Sequence, residues 1–141
     1  MFLGEYRHSL DSKNRLRLPS RLKKEFSGEI VLTKGSDGCI FVLPRDNFDS
    51  VFANALGQPM FNSDVQRPLR MLFSSAVSLE EDNQGRFLLP AMLKAHAGID
   101  KEVVFIGAGS RVEIWSMEKW NAYSSSSDFD SISKDLSSYG I

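Results

Sequence analysis

The sequence predicts an α+β protein that is mainly β with short helices. Three observations support this: a motif that occurs twice, apolar residues that alternate at period two within it, and short stretches with helical spacing. Asp11–Pro19 reappears 71 residues later as Asp82–Pro90, and Ile30–Thr33 reappears 73 residues later as Val103–Ile106. Because both blocks recur in the same order and nearly in register, we interpret the chain as an internal duplication.

Each copy of the motif is predicted to form a β-hairpin. The first strands are predicted at Glu5–Leu10 and Val77–Glu80. Asn14 and Gly85 precede the motif arginines, and both residue types tolerate the positive φ that a tight turn often needs. On the returning strand of the first copy, arginines alternate with leucines, as on a half-buried strand. We therefore expect Arg15 and Arg86 at the hairpin tips, on the face opposite the core.

The prolines that end the motif are predicted to open short helices. Pro19 and Pro90 suit this position because the first turn of a helix does not need their missing N–H. Gly28 and Gly98 are predicted to end these helices. The residues before the prolines are leucines, which have no side-chain oxygen for a cap. The first N–H groups of each helix are therefore left for water or an external acceptor.

A second hairpin follows in each copy. Its predicted strands are Ile30–Thr33 and Cys39–Leu43 in the first copy, and Val103–Ile106 and Val112–Trp115 in the second. Glycine-rich turns, Gly35–Gly38 and Gly107–Ser110, are expected to join them. Cys39 falls in an apolar strand and is expected to be an inert core thiol.

Helical spacing predicts further helices outside the hairpins. They are Arg45–Leu56, a helix around Leu69–Ala76, and Met117–Tyr123. Ser116 is the predicted N-cap of the last one. Ser63 and Gln66 resemble a capping box for the middle one, although Pro68 would weaken its hydrogen-bond ladder outside the first turn.

These elements predict one structural unit, residues 1–123, followed by a tail. The predicted boundaries are 5–48 and 76–120 for the two repeats, 49–75 for the helical linker and 124–141 for the tail. Eight of the 18 tail residues are serine, and five large apolar residues are spaced so that a weak docked helix after Asp128 is one alternative. A frayed end is the other.

Composition excludes several classes of protein and site. Seventeen Lys and Arg against eighteen Asp and Glu leave a formal charge of −1, so any nucleic-acid binding needs a local patch. One cysteine forms neither an internal disulfide nor a cysteine-based zinc site. No apolar run approaches the roughly 20 residues of a membrane helix. With no catalytic or metal-binding motif, we expect a cytoplasmic protein that is not an enzyme and has no cofactor, small-molecule substrate or membrane partner.

Charge is distributed unevenly between the copies. Residues 1–28 contain seven basic and three acidic residues, giving +4, whereas residues 73–99 have a formal charge of −1. The first hairpin and its helix therefore form a basic patch. Arginine suits nucleic-acid recognition because its planar fork bonds bidentately to a phosphate or to guanine O6 and N7. Ordinary solvated surface charge is the alternative explanation of such a patch.

The motifs resemble those of a known family. D-x-K-x-R-x-x-x-P after G-E-Y, followed by D-x-x-G-R-x-x-x-P, is similar to the MraZ family of bacterial transcriptional regulators, within the AbrB/SpoVT/MazE superfamily. The resemblance covers roughly residues 1–123. It implies two AbrB-like swapped-hairpin repeats that form one pseudo-dimeric β-barrel, and ring-shaped homo-oligomers. It also implies binding to double-stranded DNA, at short direct repeats that contain guanine and lie upstream of the division and cell-wall gene cluster, generally as a repressor.

The resemblance also implies DNA-contacting positions. They are Asp11, Lys13, Arg15 and Pro19 in the first copy, and Asp82, Arg86 and Pro90 in the second. We expect direct contacts from Arg15 and Arg86, with Lys13 and Arg17 beside them, and a shaping role for the aspartates and prolines. The chain departs from the family pattern at three positions: Asn14 for glycine, Gln84 for a basic residue and Glu81 for an apolar one. Asparagine can adopt the same backbone conformation as glycine, whereas the departures at Gln84 and Glu81 predict that the first copy is the principal DNA face. The DNA binding that the resemblance implies also leads us to expect association with the nucleoid.

Two alternatives come from other classes of protein. In one, the chain is a non-catalytic structural or protein-interaction barrel whose arginines form salt bridges between subunits. In the other, it is an antitoxin-like module that binds a toxin through residues 124–141. An enzyme has the least support from the sequence.

Overall fold

A computed structural model describes all residues, 1–141, and has the predicted α+β class. The strands are β1 Phe2–Ser9, β2 Arg15–Arg17, β3 Ile30–Lys34, β4 Ile40–Pro44, β5 Val77–Ser78, β6 Arg86–Leu88, β7 Glu102–Gly109 and β8 Val112–Ser116. The helices are α1 Ser20–Lys23, α2 Arg45–Leu56, α3 Ser63–Phe73, α4 Ala91–Ala97, α5 Met117–Ser124 and α6 Phe129–Ser137. A 3₁₀ turn at Ser36–Gly38 joins β3 to β4. None of the helices is both long enough and apolar enough to cross a membrane.

Strands from the two halves of the chain interleave. One antiparallel sheet has the order β1-β7-β8-β4-β3-β5, and β2 and β6 form a separate two-stranded ribbon. Strand β1 of the first half therefore pairs with β7 of the second, while β5 of the second half pairs with β3 of the first. The ribbon takes one strand from each half. The first hairpin predicted for each copy is therefore wrong as a strand pair, because β1 and β5 pair with the other half instead of with β2 and β6. Only the tight turns form as predicted, with the N–H groups of Asp11 and Asp82 donating to the carbonyls of Arg15 and Arg86. This exchange of strands is the arrangement that the resemblance to swapped-hairpin proteins implied.

The register of these pairs relates the halves by an approximate two-fold axis. In the ribbon, Leu16 lies opposite Phe87, the residue 71 positions later, so the axis passes through this pair. Arg15 lies opposite Leu88, and Arg17 lies opposite Arg86. The shift of 71 positions converts the first of these pairs into the second, so the two pairs are related by the two-fold axis. The pairs of the large sheet follow the same relation. Residues matched in the sequence thus occupy equivalent places in the fold.

A single core of 18 buried residues joins the sheet to the ribbon. Leu16 and Phe87 from the ribbon pack into it with Leu32, Phe105 and Ile114 from the sheet. Backbone pairing does not close these strands into one continuous barrel, because β1 and β5 are the edges of the sheet and neither ribbon strand forms a ladder with a strand of the sheet. One isolated bridge joins Phe87 of β6 to Glu81. Side-chain packing, rather than a continuous ladder, therefore holds the two sheets together.

Several boundaries differ from the predictions for local reasons. Helix α1 ends at Lys23, so Gly28 does not cap it, whereas Gly98 ends α4 with a φ of 61°. Gly107 belongs to strand β7 rather than to a turn. A Cβ at Gly107 would lie 2.3 Å from the backbone nitrogen of Leu3, so only glycine permits this approach of β1.

The helices outside the sheet differ in how they are packed. The predicted cap of α5 is confirmed, because Ser116 Oγ accepts a hydrogen bond from the Lys119 N–H. The capping box predicted for α3 is wrong: Asn62 caps this helix, and Pro68 lies in its interior. Three phenylalanines pack α2 against α3, namely Phe48, Phe52 and Phe73. Helix α6 follows the Asp128 cap, and all its residues are exposed, so it does not dock on this chain.

Candidate nucleic-acid interface

The ribbon formed by β2 and β6 presents a basic outer face. Leu16 and Phe87, 2% and 1% exposed, point into the core from the middle of the two strands. Because side chains alternate across a strand, the flanking residues point outward. The outward residues are Arg15, Arg17, Arg86 and Leu88. Three arginines therefore share one face of a two-stranded ribbon, and we call this set of four residues the ribbon face.

In the first half, Asp11 holds the turn and the arginine together. Its Oδ1 accepts hydrogen bonds from the backbone N–H groups of Lys13 and Arg15, each at 2.9 Å. Its Oδ2 accepts from Nε of Arg15 at 2.8 Å. Partial desolvation raises the pKa of Asp11, but the bonds and positive charge from Arg15 and the Lys13 N–H outweigh it and lower the pKa below 3.8. The carboxylate is therefore charged at neutral pH and shapes both backbone and side chain.

The second half repeats this arrangement. Asp82 Oδ1 accepts hydrogen bonds from the N–H groups of Gln84 and Arg86 at 2.9 Å, and its Oδ2 accepts from Nε of Arg86 at 2.9 Å. The backbone bond from Arg86 is the largest cause that lowers the pKa of Asp82 below 3.8. We call each aspartate, its turn and its arginine an Asp–Arg clasp. In both halves the aspartate fixes the turn and holds the Nε end of the arginine through these hydrogen bonds.

The turn residues before the arginines have the predicted conformation. Asn14 has a φ of 58° and Gly85 a φ of 73°. This left-handed region is open to glycine and accessible to asparagine, which explains how Asn14 replaces glycine without changing the turn. The Asn14 side chain also accepts a hydrogen bond from Nζ of Lys94 at 3.0 Å, and its carbonyl accepts one from the Leu89 N–H at 2.9 Å. The first turn is thereby attached to the second half.

Each clasp leaves the outer end of the guanidinium available. The side chains of Arg15 and Arg86 are 26% and 25% exposed, and their terminal nitrogens donate no hydrogen bond within the chain. The nearest further carboxylate oxygen is Asp82 Oδ2, 3.9 Å from Nη1 of Arg15. The arginines are therefore neither fully buried nor free. Nε is occupied by the aspartate, and the two terminal nitrogens keep their hydrogen-bonding capacity.

Charge around the ribbon face is concentrated on the first half. Lys13 and Arg17 are exposed and have no carboxylate within ion-pair distance. Lys23, also counted in the basic patch, is bound by Glu81 at 2.6 Å and contributes less positive field. In the second half, Gln84 and Leu88 replace Lys13 and Arg17. The structure thus brings four of the predicted basic residues to one region, with unequal contributions from the two halves.

Pro19 and Pro90 lie at the corners where the chain passes from a ribbon strand into a short helix. Both are the N-cap residues of short helices, and neither helix has a side-chain cap, as predicted. Pro19 is buried and Pro90 is half-buried. Their position is consistent with shaping the strand-to-helix corner, because the fixed φ of proline suits a helix start.

Sequence reasoning missed Leu88. Its side chain is 62% exposed on the ribbon face, although Phe87 and Leu89 on either side are buried. It lies opposite Arg15 and takes the place that Arg17 occupies in the first half. The period-two pattern around Phe87 was the signal that could have placed it outward.

Comparison with known proteins identifies the family. The model of the family described as "MraZ protein, putative antitoxin-like" matches residues 1–70 and 72–138. A protein of Clostridium beijerinckii named "Transcriptional regulator MraZ" is 45% identical over 142 residues, covering all of both chains. Proteins with the same name are 43% identical in Syntrophomonas wolfei, again over all of both chains, and 46% identical in Heliobacterium modesticaldum, over 87% of this chain and 86% of that one. The chain therefore belongs to the MraZ family of transcriptional regulators.

Proposed function

We propose that the protein binds double-stranded DNA in a sequence-specific manner and that the ribbon face enters the major groove. One observation carries this proposal: three guanidinium groups lie on one side of a two-stranded antiparallel ribbon. The major groove of B-DNA admits such a ribbon, and arginine is the usual partner of guanine O6 and N7. The base edges there distinguish all four base pairs, which is what a regulator of particular genes needs.

The clasps prepare the arginines for this contact. With Nε held by an aspartate, the guanidinium of Arg15 or Arg86 has fewer conformations to lose on binding. Its two terminal nitrogens keep the geometry that matches guanine O6 and N7. The aspartates themselves would repel phosphates, but their charge is compensated by the arginine each one binds. We therefore assign contact to the arginines and positioning to Asp11 and Asp82.

Lys13 and Arg17 supply the electrostatic part of the affinity. Both are exposed and unpaired, so they can neutralise phosphates without first breaking an ion pair. The second half lacks their equivalents, which makes the first half the principal DNA face. A chain with a net charge of −1 then binds through a local patch rather than through its overall field.

We further propose that residues 1–123 form two tandem repeats, 5–48 and 76–120, joined by 49–75. The equivalent pairing of residues 71 positions apart across the ribbon supports this division. A two-fold related ribbon has a practical consequence for recognition. It presents two arginines in equivalent settings, one from each repeat, on a single rigid element.

Self-association into a ring would place several ribbon faces on one particle, so that their individually weak contacts with DNA act together. Two apolar surfaces of the chain have no partner: the α6 side chains Ile132 and Leu136, and a groove of about 680 Å³ between α2 and α3 that includes Leu56 and Met60. A surface and a different groove on the same chain give head-to-tail contacts, which close into rings when the rotation permits. Several ribbon faces on repeated sites then bind with a higher effective concentration.

Sedimentation tests this assembly. Ile132→Ser with Leu136→Ser removes the apolar stripe of α6, and we expect smaller particles that bind a single DNA repeat with unchanged affinity but no longer prefer several repeats. Ser131→Ala on the same exposed helix is the matched control. Particles of unchanged size would exclude α6 from the subunit contact, and equal affinity for one and several repeats in the unmodified protein would exclude multivalent binding.

The finer regulatory role follows the family resemblance. We propose that the target is a set of short direct repeats upstream of the division and cell-wall gene cluster, that binding represses transcription, and that the protein is nucleoid-associated and not an enzyme. Repression needs no surface beyond the ribbon face, because a ring seated on promoter DNA excludes the polymerase sterically. A reporter gene behind this promoter distinguishes the outcomes: deletion of the regulator raises expression under repression and lowers it under activation.

Mobility shift on the DNA upstream of the protein's own gene tests DNA binding. The double variant Arg15→Ala with Arg86→Ala should reduce affinity for that DNA while the particle size stays the same. Arg45→Ala is the matched control, since Arg45 is an arginine of α2 outside the ribbon. A structural role for the ribbon arginines predicts the opposite pattern: the double variant would dissociate the oligomer, and the unmodified protein would not select the upstream DNA.

The antitoxin-like alternative has one observation in its favour, the unpartnered apolar stripe of α6. It predicts that a toxin protein binds residues 124–141 and that deletion of these residues abolishes the complex. Two results together would exclude this role. The chain without residues 124–141 would still repress its promoter, and cells that contain only this shortened chain would remain viable without any second protein.

A further inference from the structure

The ribbon face contains one exposed apolar residue, which lies between arginines. Leu88 is 62% exposed and lies among Arg15, Arg17 and Arg86. It is the only departure from arginine among the four outward positions of β2 and β6. Leucine in the place that Arg17 occupies in the other half removes one charge and adds an exposed apolar surface between the arginines.

We propose that Leu88 contacts the 5-methyl group of a thymine in the major groove. This inference rests on the proposed DNA binding and deepens it by naming a second base that the ribbon reads. Thymine is the only standard base that presents a methyl group in the major groove, and apolar side chains are its usual partners. A leucine beside guanine-reading arginines therefore specifies a thymine near a guanine.

The geometry of the ribbon places the two bases close together. Leu88 and Arg86 are alternate residues of one strand, about 7 Å apart at two rises of roughly 3.4 Å. Successive bases of one DNA strand are about 3.4 Å apart, so the two side chains reach bases within about two steps of each other. Arg15, directly opposite Leu88, is closer still, with Cβ atoms about 5 Å apart.

Leu88 also makes the ribbon face asymmetric, and an asymmetric face suits a DNA sequence that is not palindromic. The backbone of the ribbon is two-fold related, but Arg17 of the first half corresponds to Leu88 of the second. A symmetric ribbon face would favour a palindromic contact. With arginine on one side of the axis and leucine on the other, each chain reads a directional element, as direct repeats require.

Replacement of thymine by deoxyuridine tests the contact, because it removes only the methyl group and keeps the base-pairing and groove hydrogen bonds. The upstream DNA is prepared with one thymine replaced at a time, and the affinities of the unmodified protein and of Leu88→Ala are compared. We expect one position per repeat where the unmodified protein loses about fourfold in affinity, the value of burying one methyl-sized group. Leu88→Ala should lose nothing there.

Arg17→Ala is the matched variant, since it changes the equivalent residue of the other half. It should bind all of these DNAs more weakly but keep the loss at the same thymine. Leu88→Arg should bind without sensitivity to the methyl group and accept a guanine at that position.

Three results would overturn the inference. They are a uniform affinity of the unmodified protein for every deoxyuridine substitution, a loss that persists in Leu88→Ala, and a change of particle size in Leu88→Ala, which would make this residue a subunit contact. Failure of the proposed function looks different, because the unmodified protein would then not select the upstream DNA at all.

Discussion

The Asp11–Arg15 turn and the Asp82–Arg86 turn have nearly identical geometry but different surroundings. In both, one carboxylate accepts two backbone N–H groups and the arginine Nε, and the six distances lie between 2.8 and 2.9 Å. Around this shared clasp, the exposed charges of the first half have been replaced in the second by Gln84 and Leu88. The comparison distinguishes the residues that determine the geometry of the turn from those that determine the charge and polarity of the surface around it.

The largest expected difference concerns the two residues on the two-fold axis. Phe87→Ala should reduce the free energy of unfolding by about 3–5 kcal/mol, because a buried ring leaves a large cavity. Leu16→Ala should cost about 2–5 kcal/mol and less than the Phe87 change, since it removes fewer buried atoms. Urea denaturation of both variants measures the difference. A loss below about 1 kcal/mol in either variant would mean that the ribbon does not pack on the sheet.

The next comparison concerns affinity for DNA. Arg15→Ala should weaken binding to the upstream DNA by about 1–3 kcal/mol, the range for a lost bidentate base contact. Arg86→Ala should weaken binding less than Arg15→Ala does. Lys13 and Arg17 hold the first half against the phosphates, and the second half has no equivalents of these two residues, so we expect its arginine to contribute less to the affinity. Titration by fluorescence anisotropy gives the two values. An equal or greater loss in Arg86→Ala would contradict the assignment of the first half as the principal DNA face.

The turn residues provide a test of stability. Gly85→Ala should destabilise the fold by about 1–2 kcal/mol, because an L-residue with a side chain is strained at a φ of 73°. Gly85→Asn should cost clearly less, since Asn14 adopts this conformation in the equivalent turn. Thermal unfolding compares the three proteins. If Asn and Ala at position 85 were equally destabilising, the two turns would not be equivalent.

Acid unfolding tests the carboxylates of the clasps. The pKa values of Asp11 and Asp82 are lowered in the folded protein, so their charged forms stabilise the fold above the ordinary value of 3.8. That contribution disappears as pH falls through the lowered values. Asp11→Asn with Asp82→Asn should therefore lose less stability than the unmodified protein between about pH 5 and pH 2. Parallel curves of stability against pH would contradict this linkage.

The smallest effect concerns salt. Gln84→Lys restores to the second half the charge that Lys13 supplies in the first, and one further phosphate contact steepens the slope of log affinity against log salt by about 0.9. Lys13→Gln should make the slope shallower by a similar amount. Affinities measured over a range of KCl concentrations give both slopes. Unchanged slopes would show that neither residue 13 nor residue 84 lies close to a phosphate in the complex.

Local patterns predicted the second hairpin of each copy, β3–β4 and β7–β8, together with the turns before the arginines and the outward arginines, because each depends on neighbouring residues. The first predicted hairpin of each copy is wrong, because its two strands pair with strands of the other half. The Asp-to-Arg spacing of four residues places the carboxylate over its own turn, and Asn14 and Gly85 identify the positions of positive φ. The pairing of β2 with β6 could not be read from spacing, since residues 71 positions apart carry no mutual signal; only the family resemblance implied it. The start of α3 was predicted one residue late because Asn62 and Ser63 are both good caps, and in the structure Asn62 accepts the hydrogen bond from the Asp64 N–H.

Leu88 and Gly107 illustrate a second limit. The exposure of Leu88 depends on which face of a three-residue strand meets the core, and Phe87 at the centre decides it. Gly107 looked like part of a turn, but the approach of Leu3 from the other end of the chain makes it a strand residue. Both outcomes follow from contacts that are distant in sequence, which single-sequence patterns do not contain.

Methylation protection tests the central claim most directly. Dimethyl sulfate modifies guanine N7 in the major groove, the atom that an arginine of the ribbon face would cover. In complexes with the upstream DNA, we expect protected guanines in each repeat with the unmodified protein and loss of that protection in Arg15→Ala at saturating protein. Bound DNA whose guanine N7 atoms remain fully reactive would contradict recognition by the ribbon face.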